Sequence, residues 1–324
     1  MGQNKQPRVS IIIPCKKIGE YAEECVRHCT LLDYGNFEII VLPDENVEAK
    51  ELLGAIIIET GDLRPAQKRE IGVQHSSGEI IAFIDDDAFP TPKWLMSAVN
   101  IFEDENVGAV GGPAVTPDSD SLLLQASGAV YQSYMGGGPY AYRYQPGDRR
   151  NVDDYPTCNL LVRKKTFVDA GGFDTNYWPG EDTILCRAIT MTLKEEIIYE
   201  PKALVYHHRR NVFNGHLKQV ASYALHRGFF VKKFPETSRR VSYFLPSLLF
   251  LGIIVGLPGS LVLGLSEYYF SMLGLYLVIM LLSSVRVCRY NVSLLLITFV
   301  GTILTQITYG AWFLKGLITK SLNV

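Results

Sequence analysis

Beyond residue 240 the chain nearly runs out of charge. From Val241 onward the only acid is Glu267, and the only bases are Arg286, Arg289, Lys315 and Lys320. Three long apolar runs fill this stretch: Tyr243 to Leu265, Tyr268 to Val285, and Val292 to Leu314. A helix of about 20 residues crosses a hydrocarbon core of roughly 30 Å. Three such runs in succession are hard to bury in a soluble helical domain. The pattern therefore predicts a membrane domain over residues 241–324 with two to three spans. Pro246, Pro258 and Gly259 kink the first run, which a bilayer tolerates better than water does. Tyr243, Tyr268, Tyr269, Tyr290 and Trp312 fall near the ends, where amphipathic rings prefer to lie.

The charges flanking these runs set a topology. Lys232, Lys233, Arg239 and Arg240 precede the first run, Glu267 lies between the first and second, and Arg286 and Arg289 lie between the second and third. The positive-inside rule then makes this an integral membrane protein with residues 1–240 in the cytoplasm. Three full spans would strand Lys315 and Lys320 on the opposite side. A re-entrant third segment removes that conflict. Residues 211–240, rich in Phe and Lys, read as an amphipathic, interfacial approach to the bilayer.

The rest of the chain is long enough for one large α/β domain or two smaller ones. A net charge of −2 gives no reason to expect a nucleic-acid partner. The polar opening, Met1 to Arg8, and the brief apolar run Val9 to Ile13 do not make a signal peptide. The six cysteines include no CxxC pair and read as reduced, mostly packing thiols of a cytoplasmic domain.

Strand and helix signals alternate. Arg8 to Pro14, Phe37 to Leu42, Ala55 to Glu59 and Ile80 to Ile84 read as strands. Glu20 to Leu31 and Arg64 to His75 read as helices, the second opened by Pro65 at a favourable early position. Continuous apolar strands separated by helices imply a mostly parallel sheet covered on both faces. Ligands of such sheets bind beyond the strands' carboxyl ends. Asp44 and the run Asp85-Asp86-Asp87 both fall there. Three adjacent carboxylates repel one another unless a cation or hydrogen bonds compensate. Hard oxygen ligands of this kind suit Mn²⁺ or Mg²⁺ bridging to a phosphate. A solvated acidic turn is the plainer alternative for the tripeptide alone.

Neither a GxGxxG after the first strand nor a GxxxxGK[ST] is present. Gly136-Gly137-Gly138-Pro139 lacks a strand–helix context and reads as a flexible loop. The chain therefore has no glycine-rich phosphate cradle, and charge on a diphosphate must be met by metal and basic side chains.

The order of these pieces resembles the nucleotide-binding half of a GT-A glycosyltransferase of the inverting family 2. The matching pieces are Val9 to Pro14, Asp44, Arg64 to Arg69 with Gly72, and Gly78 to Asp87. Cys158-Asn159 to Arg163, Gly171 to Asp174 and Gly180-Glu181-Asp182 resemble the acceptor-side half. The resemblance covers about residues 8–230 and implies a GT-A domain over 1–210, ahead of the 211–240 linker.

It also implies roles. Pro14, Asp44, Lys68, Arg69, Asp85, Asp86, Asn159 and Arg209 would line the site for a nucleotide-diphosphate sugar. Within that set Asp44 would meet the nucleobase and Asp85 the ribose, while Lys68 or Arg69 would neutralise phosphate. Asp87 would bind Mn²⁺ or Mg²⁺ directly. A histidine about 25 residues after Asp182 would be a further ligand, His208 slightly ahead of His207. Asp182 would be the general base on the acceptor hydroxyl, with Glu181 raising its pKa. The same two acids also suit a helix start after Gly180.

Processive members of this family carry Gln-x-x-Arg-Trp. Here the corresponding stretch is Gln219-Val-Ala-Ser-Tyr, so a single sugar transfer is expected. An interfacial position favours a lipid-linked or polyprenyl-phosphate acceptor. Asp118 to Tyr155, rich in tyrosine, reads as a mobile loop over the site. A catalytically inactive GT-A membrane scaffold and a nucleotidyltransferase are the competing readings. The first would lack Asp87 or Asp182. The second would need a better basic glycine loop than Pro14-Cys15-Lys16-Lys17-Ile-Gly19.

Overall fold

A computed structural model describes residues 6–45 and 52–322. Most of the polar opening stretch thus lies outside the described residues. By contacts the chain divides into two units: the first runs up to Val115 and resumes at Gln145–His207, and the second comprises Thr116–Tyr144 and the chain from His208 on.

The first unit holds eleven described strands: β1 Val9–Pro14, β2 Phe37–Leu42, β3 Ile56–Ile57, β4 Ile80–Ile84, β5 Ala88–Pro90, β6 Val107–Gly111, β7 Ala114–Val115, β8 Arg150–Val152, β9 Asn159–Arg163, β10 Glu196–Tyr199 and β11 Val205–His207. The main sheet has the order β3-β2-β1-β4-β9-β6-β10-β8. β3, β2, β1 and β4 are mutually parallel, as the apolar runs predict. β9 enters antiparallel between β4 and β6. A small sheet, β5-β11-β7, completes the unit.

Alternation along β1 and β2 explains the covering on two faces. Ile11, Ile13, Ile39 and Val41 face a core shared with Ala22, Cys25, Val26 and Cys29 of the helix Glu20–Cys29. Those four residues have the i, i+3, i+4, i+7 spacing of one helical face. On the other face Gly72 of the helix Pro65–His75 rests on Ile12 and Leu42, and a Cβ there would lie 2.7 Å from Ile12 Cγ2. The cysteines form no disulfide.

Two turns behind β6 are fixed by close backbone approach. A Cβ on Gly112 would fall 1.6 Å from the Ala203 carbonyl oxygen. Backbone cannot yield as a flexible side-chain tip does. Gly112→Ala is therefore expected to destabilise this unit by about 3 kcal/mol. Amide hydrogen exchange in β6 and β9 should accelerate by on the order of 100-fold. Unchanged protection would refute the packing argument.

The second unit corrects the expectation of a mobile loop over 118–155. Its part of that stretch forms a helix, Leu122–Gln132, a short helical turn, Tyr134–Gly137, and a 3₁₀ segment, Gly138–Arg143. Ala126 and Val130 pack with Val212, Leu294 and Ile297. Tyr131 and Tyr144 stack with centroids 4.6 Å apart. Gly136 and Gly137 are not a flexible stretch either. A Cβ on them would lie 2.0 and 1.9 Å from the carbonyl oxygens of Val130 and Tyr131. They permit a tight return of the chain.

Residues 211–240 contain a long helix, Gly215–Lys233, and a short one, Pro235–Ser238. Three helices long and apolar enough to cross a membrane follow: Val241–Val262, Ser266–Cys288 and Val292–Ile318. The first carries Pro246 and a π-turn at Gly252–Gly256, both common causes of a bend. Gly228 and Gly316 face each other where Gly215–Lys233 crosses Val292–Ile318. A Cβ on either would lie 2.2 Å from a carbonyl oxygen of the other helix.

Candidate active site

The parallel strands deliver polar residues to one edge of the first unit. β1 ends at the buried Pro14, β2 leads to Asp44, and β4 leads to Asp85, Asp86 and Asp87. β11 runs antiparallel to β5 with His207 opposite Ala88, the residue after Asp87. This register brings His207 Nε2 to 3.0 Å from Asp87 Oδ1. One ligand atom each from Asp85, Asp87 and His207 lies within 4.8 Å of the others.

Two expectations change here. His207, not His208, joins the aspartates: it closes β11 opposite Ala88, whereas His208 lies past the end of the strand. His208 Nδ1 instead lies 2.6 Å from Asp120 Oδ1. Asp85, assigned to the ribose by resemblance, sits in the possible ligand group. Asp85 and Asp87 are two residues apart, and that spacing was the available signal for a shared direction.

The donor set fits a divalent cation. Burial first, then the like charges of Asp87 and Asp85, push the Asp86 carboxyl up to about 7. The acidic run thus resists full ionisation unless positive charge is supplied. Two carboxylates and an imidazole are the mixed oxygen–nitrogen set that Mn²⁺ or Mg²⁺ accepts.

Lys68 and Arg69, expected to meet phosphate, are internal braces. Lys68 is 2% exposed. Its Nζ donates to the carbonyls of Cys15 (2.6 Å) and Leu42 (3.3 Å) and pairs with Asp44. It therefore ties the ends of β1 and β2 to the Asp44 carboxylate. Arg69 Nη2 donates to Asp85 Oδ1 at 2.5 Å, and Nη1 lies 3.5 Å from Glu181 Oε1. Both cations face inward from consecutive positions of the helix Pro65–His75, so their charge is spent on holding carboxylates. The buried Cys15 thiol beside them is pushed up to about 12, chiefly by burial and then by Asp86, so it stays protonated at neutral pH.

Glu181 and Asp182 open the helix Glu181–Arg187 after Gly180, whose φ is 125°. Glu181 is buried, and desolvation raises its carboxyl against the opposing pull of Arg69. Asp182, half-buried, accepts the Thr183 backbone N–H at 2.7 Å. Thr183 Oγ1 donates in turn to Asp154 at 3.0 Å, anchoring the helix start. Neither Thr183 nor Asp154 carries a sequence signal for this anchor.

Asn159 is not a ligand-facing residue. It is fully buried, accepts from Trp94 Nε1 at 2.8 Å, and donates to the carbonyls of Ala203 (2.8 Å) and Pro113 (3.2 Å). Every donor and acceptor of its amide is engaged in binding β9 to neighbouring turns. Arg209 belongs to the second unit, where its Nε lies 3.4 Å from Thr116 Oγ1 and its guanidinium 5.1 Å from the Tyr144 ring centroid.

Residues 10–169 match the model of Glycosyl transferase family 2. The chain is 27% identical over 197 residues to Glycosyltransferase AglE of Haloferax volcanii, covering 54% of this chain and 59% of that protein. It is 22% identical over 218 residues to Glucosyl-dolichyl phosphate glucuronosyltransferase of the same organism, covering 62% and 69%. This chain therefore spans little more than half the length of the first of these relatives. Among solved structures, a mannosyltransferase from Pyrobaculum calidifontis, in complex with GDP-Man and Mn²⁺, superposes with a TM-score of 0.56 at 18% identity, covering 98% of this chain and 89% of that one. That likeness is one of fold. The sheet order, the acidic edge after β4 and the family match together identify residues 10–169 as a GT-A-fold domain of glycosyl transferase family 2, in a chain that also carries three membrane-length helices.

Proposed function

We propose that this chain is a membrane-anchored, inverting glycosyltransferase. It moves one sugar from a nucleotide-diphosphate sugar to a hydroxyl or phosphate of a lipid-linked acceptor. The observation that carries the reading is the Asp85, Asp87 and His207 group at the carboxyl edge of the sheet. These residues would hold Mn²⁺ or Mg²⁺, which when bound acts as a Lewis acid on a diphosphate leaving group. Lys68 holds Asp44 in place beside the end of β2, where it would meet the base. Arg69 holds Asp85 and Glu181. With a hydroxyl acceptor, Asp182 takes the proton from its O–H as that oxygen bonds to the anomeric carbon and the carbon–oxygen bond to the diphosphate breaks. Attack opposite the leaving group inverts the anomeric centre.

The second relative, named for its glucosyl-dolichyl phosphate, supports a lipid-linked acceptor. The basic residues before Val241 support a cytoplasmic catalytic part. In this reading residues 1–210 supply the catalytic domain, 211–240 approach the bilayer and 241–324 anchor it.

The test is nucleotide release from a panel of nucleotide sugars, with Mn²⁺ or Mg²⁺, with and without a crude lipid extract. Release from one donor, raised by lipid, is expected. No release from any donor, with no nucleotide-diphosphate binding, would overturn this reading in favour of an inactive scaffold.

A further inference from the structure

The third apolar helix, Val292–Ile318, has the length and composition of a membrane span. Within the second unit, however, it is fastened from end to end to segments that are not membrane-like. Leu294 and Ile297 pack with Val130 of the helix Leu122–Gln132 and with Val212. Thr305 Oγ1 lies 2.9 Å from His216 Nε2, whose Nδ1 lies 2.8 Å from Ser127 Oγ. Gln306 Nε2 donates to the Met135 carbonyl. Phe313 packs with Ala224, and Lys232 donates to the carbonyl of Thr319. From Leu294 to Thr319 is about 37 Å of helix. A spanning helix could keep such contacts only at one end, because a hydrocarbon core of roughly 30 Å separates its two ends.

The companion helix decides the matter. Thr305, Gly316 and Thr319 meet His216, Gly228 and Lys232 in turn, so Val292–Ile318 and Gly215–Lys233 run side by side in the same direction. Were one a span, the other would enter the hydrocarbon with it. Gly215–Lys233 carries Lys218, Arg227, Lys232 and Lys233, and its three lysines are exposed. Each lysine or arginine at the centre of a span costs about 3 kcal/mol. The other two apolar helices form a hairpin: a Cβ on Gly256 would lie 3.4 Å from Tyr269 Cε2. Both open ends of that hairpin reach one short segment. Tyr243 stacks on Tyr140, and Ser283 Oγ accepts the Met135 N–H at 3.0 Å.

We propose that Val292–Ile318 lies along the bilayer surface instead of crossing it, and that Val241–Val262 and Ser266–Cys288 are the two spans. The partner of the third helix is the lipid interface. At 100° per residue, Thr298, Thr302, Thr305 and Gly316 share one face and are buried, while Leu296, Val300 and Ile318 share the opposite face and are exposed. An apolar outer face on a helix tied down by polar side chains suits the boundary between headgroups and acyl chains. The charges agree. Arg239, Arg240, Arg286, Arg289, Lys315 and Lys320 then lie on one side of the bilayer and Glu267 on the other. This placement rests on the membrane-anchored reading and is independent of sugar transfer.

The test is labelling of Lys233→Cys, Glu267→Cys and Lys320→Cys, each in the full chain, by a membrane-impermeant maleimide in vesicles of known orientation, read above the wild-type background. Lys320→Cys is expected to label from the same side as Lys233→Cys, and Glu267→Cys from the opposite side. Lys315→Cys repeats the measurement should Lys320→Cys fail to fold. Spin labels on Val300→Cys and Val278→Cys read depth. Position 300 is expected to lie roughly 5 Å or more nearer the surface than position 278, in the middle of the second span. Labelling at position 320 from the Glu267 side, or position 300 as deep as 278, in a chain that alkaline carbonate leaves in the membrane, would overturn this placement alone. Release of the wild-type chain by carbonate would overturn the membrane-anchored reading and this placement with it.

Discussion

Asp87→Ala is expected to cut sugar transfer by on the order of 10³-fold, about 4 kcal/mol of transition-state stabilisation. The argument is electrostatic. Asp87 is the residue that both lies 3.0 Å from His207 and shares the possible ligand group with Asp85. Removing its carboxylate leaves one acid and one imidazole, a set too weak to hold Mn²⁺ or Mg²⁺ against water. The folded state should survive, since Asp87 is partly exposed and its loss relieves repulsion on Asp86. Electron paramagnetic resonance of added Mn²⁺ separates the two effects. Wild type should bind Mn²⁺ and the variant should not. His207→Ala should weaken binding in the same way, and His208→Ala should not. Transfer by Asp87→Ala near the wild-type rate would remove the metal from the account.

Asp182→Asn is expected to lower turnover by roughly 10²- to 10⁴-fold while leaving metal and donor binding in place. The amide keeps the size of the side chain and an oxygen for the Thr183 backbone N–H that Asp182 accepts. It cannot take a proton. Glu181, its neighbour, is no substitute: it is buried and turned to Arg69. Single-turnover assays with saturating donor check this directly. A loss confined to the chemical step fits a base. An equal loss in donor affinity would make Asp182 a binding residue instead.

How far the sequence could be read depended on the range of the forces involved. β1, β2 and β4 were legible because a strand buried on both faces is continuously apolar, a local property. The acidic edge followed, since a parallel sheet collects ligands at its carboxyl ends. The antiparallel entry of β9 was not legible, because it depends on which neighbours Asn159 and Trp94 find across the fold. The choice between His207 and His208 turned on a strand of three residues, too short to show its own period. Lys68 and Arg69 are consecutive and both charged, so no pattern marks either as interior. Their burial follows from the carboxylates that meet them. The segment Leu122–Arg143 was misread because its glycines and tyrosines suit a loop. In the folded chain those glycines admit backbone contact, and small buried residues such as Ala126 let the helix pack closely.

The central claim is metal-dependent transfer of a sugar to a lipid. It is tested most directly by supplying the donor that the nucleotide-release panel selects, with radiolabelled sugar, to membranes containing this chain and counting label in the organic-extractable fraction. The account predicts label there with wild type, abolished by chelation and restored by Mn²⁺ or Mg²⁺, absent with Asp87→Ala, and joined through an inverted anomeric linkage. Label that stays in the aqueous phase, or lipid label that persists with Asp87→Ala, would contradict it.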